Sequence, residues 1–219
     1  MNGGASLMRQ ALKHALGAML PRRRFLLSGP RASREVCFTF DDGPHPEHTP
    51  RLLDVLGELG ATATFFVVGQ QVERYPQLVR RIAAEGHLLG HHSYWHAPPE
   101  QTSAAQLAAE IAQTRQLLAD LVGAAPRWFR PPLGKLSVAK CRRIWQAGQG
   151  IALWNVDPRD YACRTTDECR ERLLARPLVG GDVVLLHDVH PHAAHLLPEV
   201  IGRIRDHGLA PATLDAWSP

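Results

Sequence analysis

Two carboxylates stand side by side in CFTFDDGPHPEHTP, residues 37–50: Asp41 and Asp42 follow an apolar run and precede Gly43-Pro44. Like charges so close repel and raise each other's pKa, so the pair needs compensation, and a metal ion supplies it. Further along, HHSYWH sets His92 and His96 four apart, close enough to grip one ion from a single turn. Two imidazoles and one carboxylate make a three-ligand site with positions left for water, as catalytic zinc requires. An ordinary polar loop would carry the same residue types. RPPLG (130–134) puts a cation beside a proline-stiffened turn, VDPRDY (156–161) offers Asp157 and Asp160, and LLHD (185–188) ends an apolar run on His187. Singly, these three are a stiff loop, a strand-end turn and a core histidine.

The elements that must position these residues alternate regularly past residue 35. Short apolar runs bounded by Gly, Pro or Asp predict strands at 36–40, 63–69, 87–91, 127–131, 150–156 and 182–187. Helical patterns lie between and after them, near 49–59, 76–85, 103–122, 137–148, 167–175 and 193–207, the first opening on Thr49 as a cap and Pro50 at the first helical position. Strand then helix, repeated, points to a parallel sheet covered by helices, either open or closed into a β/α barrel. Asp41 and Asp42 then follow the first strand, His92 and His96 the third, Arg130 closes the fourth, Asp157 and Asp160 follow the fifth, and His187 ends the sixth. In a β/α barrel the C-terminal strand ends open on one face where catalytic groups gather. Residues far apart in sequence are expected to converge there.

Composition narrows the class of partner. The 219 residues, 45% hydrophobic, fit one α/β domain. The formal charge of +4 misleads: residues 1–34 hold seven Lys/Arg and no Asp or Glu, leaving 18 basic against 21 acidic residues in the body. A mildly acidic body without a basic stripe argues against nucleic acid. Cys37, Cys141, Cys163 and Cys169 show no C-x-x-C spacing and read as reduced thiols. ALGAML is too short for a secretory signal, so a cytoplasmic location is expected. Met8, Leu12, Leu16 and Met19 recur at helical spacing within the basic 1–34 extension, which reads as a capping helix, a loose tail, or a helix lying on the inner face of a membrane.

TFDDGP (39–44), HSYWH (92–96), RPPLG (130–134), DPRDY (157–161) and LLH (185–187), in that order, resemble the motifs of the polysaccharide deacetylase family, also called the nodulation-protein-B homology domain. The resemblance covers roughly residues 35–215, so residues 35–219 are read as the catalytic domain and 1–34 as an extension. It implies a distorted (β/α) barrel and a metal-dependent carbohydrate esterase that removes N-acetyl groups from N-acetylglucosamine-containing glycans. By that resemblance Asp42, His92 and His96 hold a divalent ion, zinc first, with cobalt or manganese as alternatives. Asp41 is the general base, steadied by Arg130; His187 is the acid, oriented by Asp160. The backbone N–H of Leu133 serves the oxyanion, and Leu185 lines a pocket for the acetyl methyl.

Three positions depart from the family pattern. Leu133 replaces an aromatic, Tyr161 replaces a Trp as the aromatic wall, and His91 replaces an Asn, giving a third histidine that competes with His92. The Ser after His92 favours His92 as the ligand. His190, His192 and His195 are read as solvated residues near the mouth of the site. The other readings are a deformylase or amidase acting on a lipid-linked amino-sugar, and a catalytically silent carbohydrate-binding domain. The oligomeric state is left open.

Overall fold

The computed structural model describes Gly17 and residues 19–217. Among these residues eight parallel strands form one sheet: β1 (Phe25–Leu26), β2 (Glu35–Asp41), β3 (Thr64–Val67), β4 (Leu88–His91), β5 (Trp128–Phe129), β6 (Gly150–Ala152), β7 (Val183–His187) and β8 (Ala210–Ala212). Their order is β1-β6-β5-β4-β3-β2-β7, with β8 paired to the start of β2. Just past β6, Val156 bridges to Val184 of β7, and the Leu185 N–H donates to the Val156 carbonyl at 2.9 Å. That link ties the two flanks of the sheet together. The result is the distorted β/α barrel expected from the sequence.

Among the described residues seven α-helices cover the sheet: α1 (His48–Glu58), α2 (Gly69–Arg74), α3 (Pro76–Ala84), α4 (Ala104–Val122), α5 (Val138–Gln146), α6 (Thr166–Leu173) and α7 (His192–Asp206). The longest, α4, starts at a capping box in which Ser103 and Gln106 satisfy each other's backbone N–H, and stops at Gly123 in the left-handed region, φ 75°. Apolar residues line its inner face, and Glu110 stands among them.

The strands are apolar on both faces because helices cover one side and the barrel interior the other. Val36, Phe38 and Phe40 of β2 pack outward with Leu52, Leu53 and Leu56 of α1 and Val200 and Ile201 of α7. Cys37 packs inward with Phe66, Trp128 and Val183. A strand's period of two then puts Thr39 and Asp41 on the inner side as well. β7 repeats the pattern: Val184 and Leu186 join the outer cluster, so Leu185 and His187 share the inner face with Val183.

The structure departs from the sequence expectations at several boundaries. The runs at 127–131 and 150–156 shrink to Trp128–Phe129 and Gly150–Ala152 as regular strands, because their ends leave the ladder to form strand-end turns. Gly69, placed in the second strand, opens α2, a helix whose N-cap, Val68, makes no side-chain capping bond that could mark its start. Thr49 is not a cap. It lies within the first turn of α1, where its hydroxyl accepts from the His45 N–H at 2.7 Å and donates to Asp188 at 2.5 Å. β1 pairs with β6, so the sheet begins upstream of residue 35. Met8, Leu12 and Leu16 lie outside the described residues, and Met19 is exposed. The four cysteines are free thiols. Among the described residues no helix is long and apolar enough to cross a membrane.

Candidate metal centre

At the C-terminal strand ends, Asp42, His92 and His96 each offer a ligand atom, and the three atoms lie within 4.8 Å of one another. Asp42 Oδ1 is 3.6 Å from His92 Nε2 and 3.3 Å from His96 Nε2. The main-chain carbonyl of Arg130 lies 2.7 Å from His92 Nδ1. A carbonyl only accepts, so Nδ1 carries the proton and Nε2 turns its lone pair toward Asp42. Burial pulls the His92 pKa down to about 3, keeping the ring neutral, the form that ligates. Asp42 Oδ1 is buried with no hydrogen-bond partner. A buried carboxylate oxygen lacking a donor, facing two imidazole nitrogens, fits a cation and little else. The donor set therefore accommodates a divalent metal.

Asp41 points into the barrel, and the fully buried Arg130 reaches it from β5. One terminal nitrogen of the guanidinium donates to Asp41 Oδ1 and to Thr39 Oγ1, both at 2.7 Å. Nε and the other terminal nitrogen take the carbonyls of Ala152 and Leu153, at 3.3 and 3.1 Å. The guanidinium also sits 4.0 Å from the centre of the Phe66 ring. With its donors so engaged, the side chain has little freedom to move. Burial holds the Asp41 carboxyl above the usual carboxylate range, against the pull of Arg130. Asp41 Oδ2, the oxygen not bound to Arg130, lies 3.6 Å from His92 Nε2, at the edge of the cluster.

His187 closes the opposite side. Asp160 Oδ1 is 2.7 Å from its Nδ1, and Oδ2 accepts its backbone N–H at 2.7 Å, so one carboxylate fixes both ring and main chain. Its Nε2 is 4.0 Å from Asp42 Oδ2. Burial alone would lower the His187 pKa; the Asp160 hydrogen bond and the charges of Asp160, Asp41 and Asp42 outweigh it and push it up to about 9. The imidazole therefore carries a proton at neutral pH. Tyr161 meets it edge-on, with ring centres 5.3 Å apart.

The backbone is strained where these groups meet. Among the described residues the non-glycine positions with positive φ are Asp42, Ser93, His96, Leu133 and Arg159, and all five lie in turns that leave β2, β4, β5 or β6 at this end. Each such residue costs on the order of 1 kcal/mol, and such strain clusters at functional sites. Leu185 is buried on the inner face of β7, two residues before His187. Leu133 and Tyr161 stand exposed at the rim. His91 does not enter the cluster: it is buried, with Nε2 2.8 Å from Gln149 Oε1. Asp157 stays outside too, its Oδ1 taking the Arg159 N–H in a turn. His192 Nδ1 lies 3.2 Å from the Thr166 hydroxyl.

Sequence reasoning missed two supporting carboxylates. Glu110 of α4 accepts the consecutive N–H groups of Tyr94 and Trp95, at 3.0 and 3.3 Å, which pins the loop between His92 and His96. Its signal was a charged residue at an inward position of an amphipathic helix. Asp188, directly after His187, is buried and pushed up to about 7 by that burial, against the Thr49 hydrogen bond. It packs under Gly43 so closely that a Cβ there would run into its carboxylate, which explains the glycine after the Asp pair.

The family model described as polysaccharide deacetylase matches residues 28–150. A peptidoglycan-N-acetylglucosamine deacetylase of Bacillus cereus is 35% identical over 163 residues, which is 74% of this chain and 59% of that protein. The chain thus spans less than two thirds of that relative's length. A chitooligosaccharide deacetylase of Rhizobium leguminosarum bv. trifolii is 36% identical over 186 residues, 84% of this chain and 82% of the other. The crystal structure of the Bc1960 peptidoglycan N-acetylglucosamine deacetylase superposes with a TM-score of 0.84 at 31% identity, covering 90% of this chain and 93% of that one.

Proposed function

Because the chain belongs to the polysaccharide deacetylase family, we propose that it hydrolyses the N-acetyl group of an N-acetylglucosamine-containing glycan at this centre. The observation that carries the reading is the convergence of Asp41, Asp42, His92, His96, Arg130 and His187 from four strand ends, around a buried carboxylate oxygen without a donor. Asp42, His92 and His96 hold one divalent cation, zinc in this reading, with cobalt and manganese as alternatives. When bound, the cation polarises the acetamide carbonyl and lowers the pKa of the attacking water.

The protein's own groups account for the protons. Asp41, raised by burial, takes one from the attacking water through Oδ2, while Arg130 keeps the carboxylate oriented through Oδ1. As the water oxygen bonds to the carbonyl carbon, the Leu133 N–H supports the charge on the carbonyl oxygen. The C–N bond then breaks only if the nitrogen is protonated, since an amine leaves poorly as an anion. His187 supplies that proton from Nε2, held in place by Asp160 on Nδ1. Leu185 and Tyr161 form the wall beside the acetyl group. The products are acetate and the free amino-sugar.

Metal-loaded enzyme incubated with chito-oligosaccharides should release acetate, and Asp41→Asn should cut the release about 10³-fold while still binding metal. Full metal occupancy without acetate release from any acetylated glycan would sink this reading and favour the amidase or silent-domain alternatives.

A further inference from the structure

Among the described residues, the large apolar side chains left exposed are Met19, Trp95, Leu133, Val138, Tyr161 and Val179. Trp95, Leu133 and Tyr161 lie in the turns after β4, β5 and β6, on the rim of the centre. Trp95 is the largest of these, 58% exposed, and its neighbour in the chain is His96.

An exposed indole on a mobile loop would carry little meaning. This loop is fixed: the Tyr94 and Trp95 N–H groups end on buried Glu110, the His96 N–H ends on Ser93 Oγ at 3.0 Å, and the Tyr94 hydroxyl donates to Glu73 at 2.8 Å. The Tyr94 ring, itself buried, meets the indole edge-on at 4.6 Å. The backbone is thus held on both sides while the ring faces solvent beside the metal ligands. An indole more than half exposed on a fixed backbone suits an apolar, flat ligand face.

A β-linked glucosamine ring offers such a face. Its substituents are equatorial, so each side presents axial C–H groups that stack on an aromatic ring. We propose that Trp95 is the platform for a sugar ring neighbouring the one deacetylated, and that it gives the site its preference for oligomeric or polymeric β-linked glycans. The inference rests on the hydrolase reading above for its substrate class.

The test separates binding from turnover. Calorimetry on the Asp41→Asn background, with and without Trp95→Ala, measures how much affinity is gained from N-acetylglucosamine to chitopentaose. That gain is expected to shrink about tenfold in the Trp95→Ala protein, the scale of one aromatic contact. Trp95→Phe should restore most of it. Val179→Ala, ahead of β7 at the far end of the sheet, should leave both affinities as they are. An unchanged gain in Trp95→Ala, or a loss that neither Trp95→Phe nor Trp95→Tyr restores, overturns the proposal. Lost oligomer affinity in an enzyme that never releases acetate would keep the subsite and refute the hydrolysis, whereas turnover with an unaltered length dependence would do the reverse.

Discussion

Asp42 and Asp182 are the same residue type at opposite ends of one parallel sheet, and their surroundings are opposites. Asp182, just before β7, has every acceptor position filled: Asn155 at 2.7 Å, the Arg176 guanidinium at 2.8 and 2.9 Å, and the Val179 N–H at 2.9 Å. Asp42, just after β2, sits at φ 76° with a buried oxygen that has no hydrogen-bond donor among the described residues. One carboxylate is closed and holds the fold together. The other is kept open, at a cost in strain, for something to bind. A buried polar group is normally paired, so the contrast between these two carboxylates suits a structural role for Asp182 and a binding role for Asp42.

Substitutions at four positions probe that contrast, taken from the strongest effect downward. Asp41→Asn should reduce acetate release about 10³-fold, since the base is lost while the Arg130 contact and the ligands persist; metal content measured alongside should be unchanged. Asp42→Asn keeps the shape and tolerates the left-handed backbone, so metal affinity should fall by roughly 100-fold or more, the scale on which even outer-shell partners matter. Its metal-free stability should stay within about 0.5 kcal/mol of the parent. A large stability loss there would erase the distinction between the two ends.

Asp182→Ala is the mirror experiment. It removes the acceptor of four hydrogen bonds ahead of β7, from Asn155, Val179 and the Arg176 guanidinium, of which Arg176, 46% exposed, can rehydrate. Denaturant unfolding should show a loss of about 3 kcal/mol, with metal affinity intact. A loss of metal affinity would mean the two ends are coupled. Glu110→Ala should weaken metal binding about tenfold by freeing the loop between His92 and His96, and Glu110→Gln should do less because its amide oxygen still accepts. Titration with cobalt, followed by its visible absorption, would read both variants.

Much of the site was legible because motif and period agree. In VCFTFD, alternation places Cys37, Thr39 and Asp41 on one face, and the expected strand ends gather Asp41, Asp42, His92, His96, Arg130, Asp160 and His187 on one side of the sheet. The long helices were legible too, their apolar stripes running for several turns. The two-residue β1 and three-residue β8 were not, because so few residues establish no period. Thr49 was misread for a related reason: Thr before Pro matches a helix start, but its hydroxyl is claimed by Asp188, a residue far away in the chain.

The sequence by itself determined the order of elements, the end of the sheet where the polar residues fall, and the residue types available for chemistry. Only the tertiary structure decided the distances between these groups, that His91 turns to Gln149, and that Glu110 and Asp188 brace the turns. The reason is physical. Periodicity fixes the face on which a side chain leaves its own strand, but its partners come from other strands and helices, and their distances exist only once the barrel has closed.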